Sequence, residues 1–598
     1  MTGAVNFISG GLQIQIKHRK ENTMELLKLG VKKHPFAMIF AVWIYVFMML
    51  GRFQIDAVTT INYVSPVIFA VLFVLGDTLY MKRVGAGDEQ IKGELVQTAL
   101  GAVTVTAYMM IMLWVFSIVP SMKMFTGRNS AVPFFFGLAG LAGIAVYFSR
   151  KKKWSVLRLT VFIFAAAFVF HIYYIMYSGI SYQWDQGQIL GKGHGHLGYI
   201  EYIHDHMFLP QFDPREKWQY YHPPLNHIVQ AFFMKAQTVA GVNIRIAVYN
   251  TTYLPLLYLM LTLVFFFRIS EQMGLEKKYG NLVLTVCACS PAFFYIGSYV
   301  NNDMLSILLM MASLYFSLKW YKDKKISTVL KAALCFGLGM FTKMSVWMSA
   351  VPIAVIFIAA LAKDIKAKKK RAAGVWFGQM AAFLAVAAPL SFYWSIRNYV
   401  RFGMPIGYIP VNQDDTQIIT QDVLTRLFDF DPAQLTMPCV AFLRSGDSYN
   451  EYNPLIALIK SSSCAMRLPG YINYPLLAAT ILVCILSFIC MAAVIAGRNT
   501  VKPLYKIMLA SFYAVLMISY YVFCLKYPHV CTEEIRYASP VIFIGAFFMA
   551  YSLSLTAKSK KFSSLGRVIV SSALVFCALS LIMITYGGFL SSFFYDFT

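Results

Sequence analysis

Side chains that can move protons crowd into one part of this 598-residue chain. Residues 198–227 read GYIEYIHDHMFLPQFDPREKWQYYHPPLNH, and Asp185 precedes them, beside Trp184. Six of the ten histidines lie in or just before that stretch: His194, His196, His204, His206, His222 and His227. Carboxylates and imidazoles are the usual groups of general acid–base chemistry. Asp185 is therefore a candidate base, although an arbitrary aspartate is more often a solvated turn residue.

The same histidines raise the question of a metal. HGH (194–196) and HDH (204–206) place imidazoles two residues apart, which is neither the i, i+4 spacing of a helical zinc site nor a paired cysteine motif. A divalent metal therefore stays open as a cofactor, and none is implied with certainty. Hydrogen bonding to a sugar or a phosphate fits this polar, aromatic stretch better. Its aromatic rings could stack on sugar faces or anchor the segment at lipid headgroups.

The elements that must position these residues are membrane-spanning helices. The chain is 59% hydrophobic and 13% charged, with a mean hydropathy of +0.61. A span needs roughly 20 mostly apolar residues, and such runs recur throughout. The sequence predicts an all-α polytopic membrane protein of about fifteen transmembrane helices, at 36–51, 60–77, 97–119, 132–149, 156–178, 248–267, 282–300, 303–318, 328–343, 345–362, 374–395, 474–497, 507–525, 538–557 and 568–586.

The net charge of +25 could suggest nucleic acid, but its distribution argues against that partner. If the N-terminus is cytoplasmic and the spans alternate, the basic runs fall on the cytoplasmic side, at 17–20, 149–153, 319–325, 366–371 and 558–561. This is the positive-inside pattern of a multi-pass plasma-membrane protein. It predicts a cytoplasmic N-terminus, an external C-terminus and no nucleic-acid binding.

Alternation also leaves two long segments outside, 179–247 and 396–473, while the cytoplasmic loops are short. Function is expected in these external loops. We predict a cytoplasmic N-terminal segment (1–35), an accessory four-helix membrane module (36–153) and a catalytic core (154–598). Cys439 and Cys464 lie in the second external segment, where they could form a disulfide or remain free thiols.

Several short motifs occur together in a particular order. Asp185 follows a span, YYHPPL (220–225) closes the first external segment, and SYVNNDMLSILLM (298–310) opens a later span. GLGMFTKMS (337–345), WSIRNYVRFGMPIG (394–407) and EEIRYASP (533–540) follow. Over roughly 155–560 the chain resembles the dolichyl-phosphate-mannose protein mannosyltransferases and their bacterial relatives, which are GT-C-type membrane glycosyltransferases. The resemblance does not explain the first four spans.

The resemblance implies an inverting transfer of a sugar from a polyprenyl-phosphate donor to a protein, lipid or glycan acceptor at the external membrane face. Asp185 would be the catalytic base, and cations would compensate the departing phosphate. The residues implied for that phosphate are Lys343, Arg397 and Arg536. Those implied for substrate binding or support are His196, Glu201, Asp205, His222, Asp303 and Tyr537.

Alternatives remain at several of these positions. The family commonly has an acidic pair in its first loop, whereas Gln186 follows Asp185, so Asp205 and Glu201 are reserve carboxylates. Lys343 could extend to the membrane surface, and Asp303 could cap its helix. A polytopic transporter or lipid flippase would also need many spans, and a non-catalytic scaffold could retain the motifs. Charges gathered at external loops rather than at the bilayer midplane disfavour transport.

Overall fold

A computed structural model of the chain describes residues 131–178, 193–239, 241–368, 370–410, 418–437, 439, 451–464, 470–557 and 563–594. Asp185 and the first three predicted spans lie outside these residues. Within them the architecture is helical, with no strand and a single isolated bridge between Ile418 and His529. The all-α polytopic prediction is confirmed.

The described residues form the following α-helices: α1 Ala131–Arg150, α2 Val156–Ser178, α3 Gly195–His206, α4 Leu225–Val239, α5 Ile244–Asn250, α6 Tyr253–Gln272, α7 Lys277–Cys289, α8 Pro291–Ile296, α9 Asp303–Asp323, α10 Ile326–Met340, α11 Ala350–Lys366, α12 Lys370–Phe402, α13 Val423–Phe428, α14 Pro454–Ser463, α15 Gly470–Ala496, α16 Pro503–Lys526, α17 Pro540–Thr556 and α18 Ser563–Phe594. Short 3₁₀ turns lie at Pro214–Glu216, Met344–Ser349, Pro432–Leu435, Val530–Thr532 and Ile535–Tyr537.

Eight helices in this part of the chain are long and apolar enough to cross a membrane. The count becomes nine if the bent pair Val530–Tyr537 and Pro540–Thr556 is one span. The predicted total of about fifteen is therefore not confirmed. One reason is visible at 282–300, where α7 ends at Cys289 and Pro291 starts a new helix. Another is α10, whose 15 residues extend only about 22 Å.

Tight packing holds α9, α10 and α12 side by side. At Gly337 on α10, an added Cβ would lie 2.8 Å from the Cβ of Leu390 on α12. Small residues permit such close approach between membrane helices, where no hydrophobic effect drives association. Elsewhere aromatic rings fill the interior, as where Phe266 stacks on Phe543 with ring centroids 4.6 Å apart. The result is a rigid scaffold whose helix ends carry the polar residues.

All described residues belong to the unit Met122–Thr598. Its first helix, α1, coincides with the fourth predicted span and packs against α2, where the Phe134 and Tyr173 rings stack at 3.9 Å. The division into an accessory module and a core near residue 153 stays a prediction, as does the separate N-terminal segment.

Candidate active site

Asp303 and Lys343 form a buried ion pair where two helix ends meet. Asp303 is the first residue of α9, and Lys343 lies in the turn that follows α10. The ammonium bonds one carboxylate oxygen of Asp303, while the Tyr299 hydroxyl donates to the other at 2.6 Å. The side chains are 13% and 2% exposed for Lys343 and Asp303. Lys343 therefore does not extend to the surface, and Asp303 pairs with it rather than capping α9.

Backbone and amide contacts fix this junction. Asn301 Oδ1 accepts hydrogen bonds from the backbone N–H groups of Asn302 and Asp303, which satisfies two donors at the start of α9. The Asn302 side chain donates to the carbonyl of Thr342 at 3.2 Å. Asn226 of α4 donates to the carbonyl of Asn301 at 3.0 Å. The NND turn, the FTK turn and the start of α4 are thus joined into one rigid unit.

A second cation, Arg536, reaches the same place from the segment before α17. Its guanidinium lies 2.8 Å from Glu534 and 5.0 Å from the ring centroid of Tyr537. Lys343 Nζ lies 5.1 Å from that same centroid. Two cations therefore share one aromatic ring, each balanced by its own carboxylate. The predicted residues Asp303, Lys343, Arg536 and Tyr537 are brought together.

Three histidines with nearly parallel rings lie together beside these charges, and they are called the histidine column below. The centroid of the His196 ring lies 5.4 Å from that of His222 and 5.2 Å from that of His227. His196 Nδ1 and His227 Nε2 share a hydrogen bond of 2.9 Å. The Tyr199 ring continues the column, 4.4 Å from His227. α3 supplies His196 and Tyr199, and YYHPPLNH supplies the others, with α4 beginning directly after its proline pair.

Burial sets the charge state of this column. It lowers the pKa of His196 to about 3, and Lys343 and Arg536 act in the same direction against the opposing field of Asp303. The pKa of His222 falls well below its usual range through burial, helped by neighbouring His196 and by Lys343. The pKa of His227 is likewise lowered by burial and then by His196. At neutral pH the column presents neutral imidazoles, which can donate or accept hydrogen bonds without repelling the two cations.

The remaining predicted residues occupy different positions. Arg397, on α12, donates to Asn398 Oδ1 at 2.6 Å and to the carbonyl of Pro210, and its guanidinium lies over Trp394. It therefore braces the first long segment against α12. Asp205 pairs with His204 at 2.7 Å, and 66% of its side chain is exposed. Glu201 lies on α3, and its negative charge adds to burial in raising the pKa of Tyr220. Asp185 lies outside the described residues.

Sequence reasoning missed the partners that complete this site. His227 and Tyr199 extend the column, and Glu534 balances Arg536. The neighbouring Glu533 pairs instead with Arg426 at 2.6 Å, both fully buried. Adjacent glutamates in EEIR thus serve two elements, one supporting the second long segment and one the site. The two adjacent glutamates just before Arg536 were the sequence signal that could have identified Glu534 as its partner.

No group of three or more histidine, cysteine or acidic side chains among the described residues has the arrangement of a metal site. The part of the site that can be described is built from two cations, two carboxylates, neutral imidazoles and aromatic rings. Such an arrangement suits an anionic group flanked by a polar, hydrogen-bonding ligand.

The fold and this site define a multi-pass helical membrane protein with a polar centre at its helix ends. Residues 221–394 match the family described as dolichyl-phosphate-mannose-protein mannosyltransferase. The resemblance stated from the motifs is therefore confirmed over that segment, which contains His222, Asp303 and Lys343. Arg536 lies beyond it.

Among solved structures, the chain is similar to the archaeal oligosaccharyltransferase AglB from Archaeoglobus fulgidus, determined with an inhibitory peptide and a dolichol-phosphate. Identity is 12% and the TM-score 0.40, over 74% of this chain and 56% of that one. The chain thus spans little more than half the length of that protein. No curated protein matches it.

Proposed function

We propose that the protein is an inverting glycosyltransferase that moves a sugar from a polyprenyl-phosphate donor to an acceptor at the external membrane face. The observation that carries this proposal is the pair of cations, Lys343 and Arg536, flanking Tyr537 beside the neutral histidine column. The family match over 221–394 supports the same class of reaction. The acceptor is a protein, a lipid or a glycan.

In this reaction the acceptor oxygen attacks the anomeric carbon while the bond from that carbon to the phosphate oxygen breaks. The electron pair leaves with the polyprenyl phosphate, and the acceptor proton passes to a carboxylate, for which Asp185 is the proposed base. Attack from the face opposite the phosphate inverts the configuration.

Charge on the departing phosphate is the main electrostatic demand. Lys343 and Arg536 would stabilise this charge, because fixed cations in a site of low dielectric stabilise developing negative charge more strongly than water does. Asp303 and Glu534 hold the two cations before the donor binds. The neutral imidazoles of His196 and His222 can then hydrogen-bond the sugar hydroxyls without adding charge.

Placement of the charges disfavours a transport function. Asp303 begins α9 and Lys343 follows α10, so both lie at helix ends. A translocation path would need polar groups near the bilayer midplane. A scaffold function would not require two buried cations beside one ring.

Radiolabel transfer from a panel of polyprenyl-phosphate sugars, in membranes carrying the full chain, tests this proposal. We expect Lys343→Met to lower transfer by roughly 100-fold, the usual effect of removing one group that stabilises transition-state charge. Lys331→Met is the matched control, since Lys331 is an exposed lysine on α10, and it should stay within about twofold of the wild type.

Lys343→Met alone leaves Asp303 buried without its partner, so a loss of folding could imitate a loss of catalysis. The double variant Asp303→Asn with Lys343→Met removes both charges. We expect it to fold, as measured by its melting temperature, and to remain inactive. Recovery of transfer in the double variant would show that the pair serves folding only and would overturn the assigned phosphate role.

A further inference from the structure

A cleft of about 570 Å³ lies at the other end of the helices that carry the site. It opens between the end of α9, the end of α11 and the start of α12, and its polar and aromatic lining is Trp320, Lys324, Asp364, Arg371, Trp376 and Gln379. Asp303 begins α9, which is 21 residues and therefore about 31 Å long. This length matches the hydrocarbon thickness of a bilayer. The cleft therefore lies near the membrane surface opposite the candidate active site.

The cleft is built by hydrogen bonds that already engage its neutral polar groups. The Trp320 indole donates to Gln379 Oε1 at 2.7 Å, and the Gln379 amide donates to the carbonyl of Lys324 at 2.8 Å. The Trp376 indole donates to the carbonyl of Phe357 at 3.0 Å. The walls are consequently fixed before any ligand arrives, which lowers the entropic cost of binding.

Positive charge dominates the mouth of the cleft. Lys324 and Arg371 are exposed there, with Asp364 as the acidic side chain of the lining. The two chain segments 319–325 and 363–368, together with Arg371, contain eight lysines and arginines and two aspartates. The ligand that complements this rim is an anion.

Exposed apolar side chains lie on α12 beside the cleft and beyond it. Val375, in the lining of the cleft, is 53% exposed, and Phe377 and Leu384, about half a turn around the helix from it, are each 61% exposed. An exposed apolar face on a spanning helix contacts lipid chains, and tryptophan prefers the headgroup region. A ligand that is anionic at one end and hydrocarbon at the other satisfies both surfaces together.

We propose that this cleft binds an anionic phospholipid of the bilayer leaflet on that side. Its phosphodiester lies between Lys324 and Arg371, and an acyl chain passes the exposed Val375 into the lipid around α12. Basic pockets between transmembrane helices recognise such headgroups by the same chemistry. The proposal does not depend on the proposed transferase reaction.

Native mass spectrometry of the full chain in detergent tests it, with dioleoyl phosphatidylglycerol, dioleoyl phosphatidylcholine and inorganic phosphate as probes. We expect retention of phosphatidylglycerol over phosphatidylcholine, and roughly a fivefold loss of that retention in Arg371→Gln. Lys366→Gln removes a charge from the same basic run outside the lining and should change retention less than about twofold.

Melting temperatures in phosphatidylcholine would show that the variants fold. Lys324→Asn gives an independent test of the loss of phosphatidylglycerol retention. The backbone should accept this substitution, because Lys324 has φ 54° and asparagine tolerates the left-handed region. Equal retention of the two lipids, equal losses in Arg371→Gln and Lys366→Gln, or displacement of the lipid by millimolar phosphate would each overturn the proposal. The last result would identify a site for a soluble anion instead.

Discussion

At the scale of single residues, the Asp303–Lys343 pair has a position that stability alone does not explain. Removing two charges from water costs about as much as their attraction returns, so a buried ion pair contributes little net stability. Losing one partner is costly, whereas losing both is often tolerated. This fits the role proposed for Lys343, a cation held ready for the donor phosphate with Asp303 as its resting partner.

The histidine column makes stability depend on pH. Burial lowers the pKa of His196 to about 3, below the unfolded value near 6.5. Below pH 6.5 the unfolded chain binds protons that the folded column excludes, so the column's contribution is complete above that pH and declines as pH falls toward 3. Each strongly shifted histidine should lower the free energy of unfolding by roughly 1 kcal/mol between pH 6.5 and 5.5.

Melting curves of the purified protein between pH 7.5 and 5 measure this effect. We expect His196→Gln to flatten the pH dependence, because one excluded proton is removed. His206→Gln is the control, since His206 is an exposed residue on the same helix, α3. A slope unchanged by His196→Gln would contradict the assignment of this dependence to the column.

Two cysteines of the second long segment are close enough to react with each other. Both Cys439 and Cys464 are buried, and the Cys439 thiol hydrogen-bonds the Cys464 sulfur. An oxidant such as copper phenanthroline should join them, because the two thiols are near enough to interact. Maleimide labelling of the denatured protein, with and without reductant, measures the bridge. In Cys464→Ser, Cys439 should label without reduction, and Cys484→Ser should behave as the wild type.

The candidate site residues could be named from the sequence, but the contacts between them could not. Motif order pointed to Asp303, Lys343, Arg536 and His222, which the structure brings together. Their pairing depends on which helix ends meet, and no local pattern encodes that. For Arg397 the phosphate role stays a prediction, and the structure shows its guanidinium bonded to the carbonyl of Pro210, a contact that the motif did not indicate.

At the scale of helices, the contact of α10 with α12 limits what Gly337 can become. A Cβ there would lie 2.8 Å from Leu390 Cβ and 3.1 Å from the carbonyl of Ala387, so the helices would have to separate. We expect Gly337→Ala to lower the free energy of unfolding by about 1–3 kcal/mol, the usual cost of overpacking.

Gly374 on α12 provides the matched control, because nothing lies within 4 Å of a Cβ built there. Gly374→Ala should be neutral or slightly stabilising, since alanine favours helix over glycine. Melting temperatures of the two variants in one detergent give the comparison. Equal behaviour would mean that α10 and α12 are not in close contact.

The apolar runs in the sequence predicted the positions of helices closely, but they did not predict where a helix is interrupted. The predicted span 156–178 coincides with α2, and α4 begins directly after the proline pair as expected. The run 282–300 is mostly apolar, so its mean hydropathy did not reveal the interruption at Ser290 and Pro291. Proline at the first helical position is compatible with a fresh start as well as with a kink, and only packing decides between them.

At the scale of the whole molecule, alternation of the described helices places the site on one side. α9 runs from Asp303 to a basic end, and α10 returns to Lys343, which pairs with Asp303. That contact explains why α10, although only 15 residues long, brings the chain back across. If α11, α12, α15 and α16 each cross once, the four crossings bring Arg536 to the same side as Lys343, as their common contact with Tyr537 requires.

The same path makes a topological prediction about two positions. Between the basic run 366–371 and the C-terminus lie four candidate spans and the bent pair before and within α17. If the bent pair is one span, five crossings separate these positions, and they lie on opposite sides of the membrane. The positive-inside pattern then puts 366–371 in the cytoplasm and the C-terminus outside.

Reporters placed after Lys368 and after Thr598, each in the full chain, measure this directly. We expect cytoplasmic activity from the first and external activity from the second. Both reporters on one side would mean that the segment 530–556 re-enters the membrane without crossing it, because the other four helices are each long enough to span. Arg536 would still meet Lys343, but the chain after it would return to the side from which it came. If the reporter after Lys368 were external and the one after Thr598 cytoplasmic, the fold would stand. The transfer reaction would then lie at the cytoplasmic face, which would contradict the external site.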